Sequence, residues 1–241
     1  MPAVEPEQRP RGQAWLRQAL AVYPIADLTH SSRHWSALVA AALRGGATLL
    51  QLRDKREGAH SVVELARKVG RLLERAGVPL IINDRLDVAL AINAAGVHLG
   101  QRDMAPERAL ELAKRAGRSD LVVGVSVASV AEADAAIRQG ASYLSISPVF
   151  GTPTKPDIDR PVGLQGLQNI RQKYPTQPLC AIGGIHPGNA ESVIRAGADG
   201  VAFVSSVRSR CPEASVRAMS AAVAVGRREG LALYQGDFHG P

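Results

Sequence analysis

The chain has 241 residues, 46% hydrophobic and 21% charged, a balance that excludes disorder over most of its length and suffices for one large core. Aromatic residues reach only 4%, too few for a stacking surface that would take single-stranded nucleic acid. A net charge of +7 suits an anionic partner, yet Arg67-Lys68, Lys114-Arg115 and Arg208/Arg210 are scattered and form no basic stripe, so neither a nucleic acid nor a membrane is the expected partner.

Residues 1–21 read as an N-terminal extension. Its mixture of Pro, Glu, Gln and Arg resembles neither a signal peptide nor a transmembrane helix, and a short helix is expected over 13–21 with Trp15 and Leu16 as apolar contacts. Residues 22–226 then alternate short apolar runs with helix-period stretches. Candidate strands begin near Tyr23, Thr48, Pro79, Val97, Leu121, Tyr143, Pro178 and Gly200, about 25 residues apart. Amphipathic patterns over 34–44, 61–76, 106–116, 130–139 and 189–196 fill intervals between them. Nearly continuous apolar strands imply burial on both faces, and glycine-closed phrases such as Arg44-Gly45-Gly46-Ala47 and Ala196-Gly197-Ala198 stop helices before the next strand. Eight consecutive units without a reversal predict a closed (β/α)8 TIM barrel, and residues 227–241 read as a C-terminal tail. Cys180 lies in a buried apolar run, and Cys180 and Cys211 offer neither a metal-ligand spacing nor a disulfide framework, so a cytoplasmic location is expected.

In a barrel of this kind the chemistry collects where strands run into the following helices. The strand ends here are polar: Gln51-Leu52-Arg53-Asp54-Lys55, Asn83-Asp84-Arg85, Gly100-Gln101-Arg102-Asp103 and Ser126 on the first half of the sheet, then Thr152-Pro153-Thr154-Lys155, Gly183-Gly184-Ile185 and Ser205-Ser206. Any one such residue is explained by helix capping; all of them at one end are not. Asp84 and Asp103 offer hard oxygen ligands suited to Mg²⁺ shared with substrate phosphates. Arg53 and Lys55, one strand away, can balance the charge of a diphosphate. A second anionic subsite is expected at the Gly183-Gly184 turn, the N-terminus of a helix near Pro187, and Ser205-Ser206. Residues 151–160 exceed the usual strand-to-helix loop and read as a lid that brings Lys155 over a phosphate. His98 reads as a packed or hydrogen-bonded strand residue, and His186 as a cap or surface residue.

The ordered phrases Q-L-R-D-K at 51–55, P-L-I-I-N-D-R at 79–85, G-V-H-L-G-Q-R-D at 96–103, T-P-T-K at 152–155 and A-I-G-G-I at 181–185 resemble the thiamine-phosphate synthase family over roughly residues 22–207. The resemblance implies a transferase that joins hydroxymethylpyrimidine diphosphate to hydroxyethylthiazole phosphate, or its carboxylated form, giving thiamine phosphate and pyrophosphate with Mg²⁺. It implies that Gln51, Arg53, Lys55 and Asn83 contact the pyrimidine diphosphate, that Asp84 and Asp103 hold magnesium, and that Ser126 and Lys155 face the same region. Arg53, Lys55, Ser126 and Lys155 are the implied catalytic group. Thr152, Thr154, Gly184, Val204 and Ser205 match positions implied to hold the thiazole phosphate, and a homodimer is compatible with the family. The sequence departs from the family at Val127-Ala128-Ser129, where a more polar continuation is common, at Ser147 and Gly151 around Pro148-Val149-Phe150, and at Ala26, often a Thr. A related thiazole tautomerase and a non-catalytic precursor sensor are the competing readings; Arg53, Lys55, Asp84, Asp103 and Lys155 favour the diphosphate chemistry over the tautomerase.

Overall fold

A computed structural model describes residues 12–28, 34–55, 58–151 and 161–236. Its centre is a closed barrel of eight parallel strands in sequence order: β1 (Val22–Asp27), β2 (Leu50–Arg53), β3 (Leu80–Asn83), β4 (Gly96–Leu99), β5 (Val122–Val127), β6 (Tyr143–Ile146), β7 (Leu179–Ala181) and β8 (Gly200–Phe203). β8 returns to β1 with Val22 beside Val201, which closes the sheet and leaves no edge. The expected barrel is therefore the observed one, each strand starting within two residues of its expected position.

Side-chain alternation divides the core in two. Val22, Ala26, Leu50, Leu52, Ile82, Val97 and Val123 face outward and pack under the helices. Tyr23, Ile25, Leu49, Ile81, Ala95, Val122, Tyr143, Cys180 and Ala202 belong to a second cluster that fills the barrel itself. The helix α1 (Gln13–Ala19) adds Leu16 and Ala19 to that inner cluster, with Trp15 packed against it, so this helix plugs the N-terminal end of the barrel.

The outer layer comprises α2 (Trp35–Arg44), α3 (Ala59–Arg75), α4 (Leu86–Ala91), α5 (Pro106–Arg115), α6 (Val130–Arg138), α7 (Gly163–Lys173), α8 (Ala190–Arg195) and α9 (Pro212–Gly236). α9 packs against both α8 and α2. It continues to Gly236, past position 227 at which a C-terminal tail was expected to begin. Among the described residues no helix is long and apolar enough to cross a membrane. Cys180 is buried inside the barrel, where burial pushes its thiol well above the usual range, whereas Cys211 is exposed.

Candidate active site

The C-terminal ends of the strands enclose a cavity. Its walls include Tyr23, Asp27, Gln51, Arg53, Asn83, His98 and Ser126 from the first five strands. Ser145, Ser147, Ile182, Gly183, Gly184, Val204 and Ser205 line it from the other side. Of the residues singled out from the sequence, Gln51, Arg53, Asn83, Ser126, Gly184, Val204 and Ser205 thus share one space. Lys55, Asp84 and Asp103 form an adjoining cluster, while Thr152, Thr154 and Lys155 lie outside the described residues, together with the rest of the expected lid from 152 to 160.

Register places the cation of the first half. Asp27 stands beside Arg53 in the β1–β2 ladder, and Arg53 Nη1 donates to Asp27 Oδ2. Arg53 keeps the rest of its donor fork, and its side chain is 27% exposed, so it is held from one side while reaching the cavity. Asp27 was not among the residues singled out from the sequence; no motif marks it, and only the strand register shows what it does.

At the end of β3 the backbone turns through Asp84 with φ 61°, the left-handed region that few residues other than glycine occupy. The Asp84 N–H donates to His98 O at 2.8 Å, which fixes this turn to β4. Asp103 is anchored separately, its Oδ2 accepting the Gly100 N–H at 2.7 Å. Burial and then the neighbouring negative charge of Asp103 push the Asp84 carboxyl above the usual carboxylate range, against the opposing pull of Lys55, whose Nζ lies 3.5 Å from Asp84 Oδ2. Two carboxylates brought together in a strained turn, with a cation 52% exposed beside them, form an acidic pair whose repulsion a hard divalent ion would relieve. Among the described residues no group of three or more His, Cys, Asp or Glu gathers, so water or ligand oxygens would complete such a coordination shell.

Ser126 ends the inward-facing row of β5 and bonds both β4 and the loop after it: its Oγ lies 2.9 Å from His98 Nε2, and its carbonyl accepts Gln101 Nε2 at 2.6 Å. The segment Val127-Ala128-Ser129 serves the following helix. Ser129 Oγ accepts the Glu132 N–H at 3.2 Å, and Glu132 Oε2 accepts the Ala128 N–H at 2.7 Å, a reciprocal cap at the start of α6.

On the opposite wall Gly183 and Gly184 have φ of 101° and 63°. A Cβ on Gly184 would lie 2.7 Å from Gly151 O and 2.8 Å from Phe150 Cβ, so glycine is needed both for the turn and for the close approach of the β6 loop. α8 begins at Ala190, three residues after the helix start expected near Pro187, because residues 186–189 close a turn first: His186 N–H donates to Asn189 Oδ1 and Asn189 Nδ2 to Gly184 O. His186 is accordingly a turn residue, its Nδ1 accepting the Gly188 N–H. After β8 the chain enters a 3-10 helix, Ser205–Arg208, which leaves Ser205 on the cavity and buries Ser206 away from it. The expected Ser205-Ser206 pair is therefore split by the tight turn, and of the two Ser205 lines the cavity.

Two further residues went unrecognised in the sequence. Tyr23 lines the cavity floor and Tyr143 lies beneath it; the two hydroxyls are hydrogen-bonded to each other, and that of Tyr143 also to His98. Period-two alternation on β1 and β6 was the available signal, since it turns both rings inward.

A family model described as thiamine monophosphate synthase matches residues 22–207. A thiamine-phosphate synthase of Chloroflexus aurantiacus is 48% identical over 188 residues, covering 78% of this chain and 84% of that protein. A thiamine-phosphate synthase of Roseiflexus sp. strain RS-1 is 46% identical over 205 residues, covering 84% and 85%. Among solved structures, the thiamine phosphate pyrophosphorylase from Pyrococcus furiosus matches with a TM-score of 0.78 at 34% identity, over 88% of this chain and 98% of that one.

Proposed function

The chain belongs to the thiamine-phosphate synthase family, a family of transferases, and from that premise we propose how its own residues divide the work. The substrates are hydroxymethylpyrimidine diphosphate and hydroxyethylthiazole phosphate, or the carboxylated thiazole, whose carboxylate leaves as CO2. The first binds toward β2–β5, with Arg53, Lys55, Asn83 and Gln51 around it. The second places its phosphate at the Gly183-Gly184 turn with Val204 and Ser205. Thr152 and Thr154 are assigned to the thiazole phosphate and Lys155 to the pyrimidine diphosphate, as the family resemblance implies.

The observation that carries this reading is the pairing of two unlike walls in one cavity: a side-chain wall holding Arg53, Asn83 and Ser126, and a glycine-turn wall ending in Ser205. The first can grip a diphosphate through charged and hydrogen-bonding side chains; the second offers backbone N–H groups at close range. Asp84 and Asp103 would hold Mg²⁺ at the rim, where it supplies positive charge to the leaving diphosphate oxygens.

In the proposed reaction the C–O bond between the pyrimidine methylene and the diphosphate breaks, its electron pair leaves with pyrophosphate, and the thiazole nitrogen lone pair forms the new C–N bond. No protein nucleophile enters. Arg53, steadied by Asp27, neutralises leaving-group charge; Lys55 and Lys155 add point charges; Ser126 donates a hydrogen bond. The remaining contribution is alignment of two substrates in a space that holds little water.

Thiamine phosphate formation from the two substrates, followed across a Mg²⁺ titration in wild type and Asp84→Ala, tests this assignment. The expected result is Mg²⁺-dependent turnover that falls by about 100-fold or more in the variant. Full turnover in Asp84→Ala at the same Mg²⁺ would remove Asp84 from the metal site. Folded wild type that binds both substrates and makes no product would overturn the reading in favour of a sensor.

A further inference from the structure

Beneath the cavity a row of hydrogen bonds crosses the barrel. Gln51 Nε2 donates to Tyr23 Oη at 2.9 Å, Tyr23 Oη lies 3.0 Å from Tyr143 Oη, and Tyr143 Oη lies 2.9 Å from His98 Nδ1. His98 Nε2 then lies 2.9 Å from Ser126 Oγ. Tyr143 on β6 reaches His98 on β4 by passing over β5 at Gly124, which stands beside both in the ladders. A Cβ on Gly124 would lie 2.0 Å from the Tyr143 ring, so glycine there is what opens the path.

The row has one direction in which every proton is used. An amide nitrogen only donates, so Gln51 occupies a lone pair of Tyr23. The Tyr23 proton then goes to Tyr143 Oη, its other hydrogen-bond partner. That leaves the Tyr143 proton for His98 Nδ1, which must be the unprotonated ring nitrogen. His98 therefore carries its proton on Nε2 and gives it to Ser126 Oγ. Reversing the row would leave the buried Tyr23 O–H without an acceptor, at the cost of an unsatisfied polar group. Burial also pushes both phenols above their usual range, which keeps them as O–H donors.

We propose that Tyr143, oriented by Tyr23 and Gln51, is a positioning residue that fixes the Nε2-protonated tautomer of His98 and so commits the Ser126 hydroxyl to donate its own hydrogen into the cavity. The inference rests on the site reading above for what receives that hydrogen, an anionic oxygen of the diphosphate substrate. A serine that accepted nothing from His98 could spend its hydrogen on the imidazole and present only lone pairs to that oxygen, which repels it. Gln51 consequently has a role that the sequence did not suggest: it is only 2% exposed, and its amide sets the polarity of the whole row.

Imidazole ¹⁵N–¹H correlation spectra of the full chain, labelled on its six histidines and assigned with His98→Asn, read the tautomer directly. Nε2-protonated His98 in ligand-free wild type is expected; Nδ1-protonated His98 would overturn the proposal without any variant. In Tyr143→Phe the Nδ1 partner is lost, so His98 should populate the other tautomer, with kcat lower by about tenfold and KM changed less. Tyr23→Phe, one step further back, should shift the same signals to a smaller extent and serves if Tyr143→Phe fails to fold. An unchanged tautomer and kcat in a folded Tyr143→Phe would also overturn the proposal. Because the spectra need no substrate, an inactive wild type with Nε2-protonated His98 would sink the synthase assignment alone, and an active one with Nδ1-protonated His98 would sink this inference alone.

Discussion

The two ends of the barrel use arginines and carboxylates in opposite ways. At the N-terminal end, Arg171 donates to Gly197 O at 2.7 Å, Gln177 O at 2.9 Å and Asp199 Oδ2 at 2.7 Å, and the same Asp199 oxygen accepts the Leu179 N–H at 2.8 Å. Arg17 of α1 bonds Thr176 O at 2.6 Å, and Arg227 of α9 bonds Arg17 O at 2.6 Å and Asp199 O at 3.1 Å, so the plug and the last helix are tied to one largely buried aspartate. Each charge there is answered within the fold. At the C-terminal end Asp84 and Asp103 are left facing each other, Lys55 stands off at 3.5 Å, and Arg53 keeps donors toward an open cavity. Closed charge networks hold an end together; open ones await a ligand.

Breaking the closed end should have the largest effect on stability. Arg171 and Asp199 are 13% and 14% exposed, so Arg171→Ala takes the nearest cation from a largely buried carboxylate, leaving it the Leu179 N–H and the more distant Arg17, and removes the ties between α7 and the loops before β7 and β8. A loss of about 3–5 kcal/mol is expected, read from the shift of a urea unfolding curve at constant slope. Michaelis constants measured on the folded fraction should hold. A loss below about 1 kcal/mol would mean that the network is ornamental and the contrast between the ends false.

At the open end the second test reverses the sign. The folded-state pKa of Asp84 is raised by burial and by Asp103, so ionised Asp84 costs the fold stability at neutral pH. The favourable contribution is fully present below the ordinary aspartate range and is lost as pH rises through the raised value. Asp84→Asn should therefore unfold at a higher temperature than wild type near pH 7, and the advantage should vanish as pH falls into the acid range. Mg²⁺ with inorganic pyrophosphate, at about 100 times its Kd, should stabilise wild type by about 2.7 kcal/mol and the variant by far less. Equal stabilisation of both would place the cation elsewhere.

The contrast between the ends also decides what a reader of the sequence could see. Strand count and closure were legible because each βα unit repeats an apolar run and a helix period, a local signal present eight times. The residues that collect at the open end were legible because strand ends carry them consecutively, as in Asn83-Asp84 and Gln51 to Lys55. What escaped depends on register between strands. Asp27 has meaning only once β1 is set beside β2, and the row from Gln51 to Ser126 needs β4, β5 and β6 aligned at His98, Gly124 and Tyr143. The burial of Ser206 depends on a 3-10 rather than an α turn after Val204, a choice that two adjacent serines do not advertise.

The smallest effect concerns a segment at the open end that behaves like the closed one. Val127-Ala128-Ser129 follows directly on Ser126, where a further ligand contact would be sought, and its polar atoms are spent on the fold: Ser129 caps α6 and Glu132 returns to the Ala128 N–H. Ser129→Ala should then cost about 1 kcal/mol of stability, as the loss of a helix cap does, and leave both Michaelis constants within about twofold of wild type. The change removes one hydroxyl and tests one boundary, the point at which the β5 strand stops serving the cavity at Ser126 and starts serving the helix at Ser129. A clear rise in KM for either substrate, with stability unchanged, would move that boundary three residues along and make Ser129 part of the site.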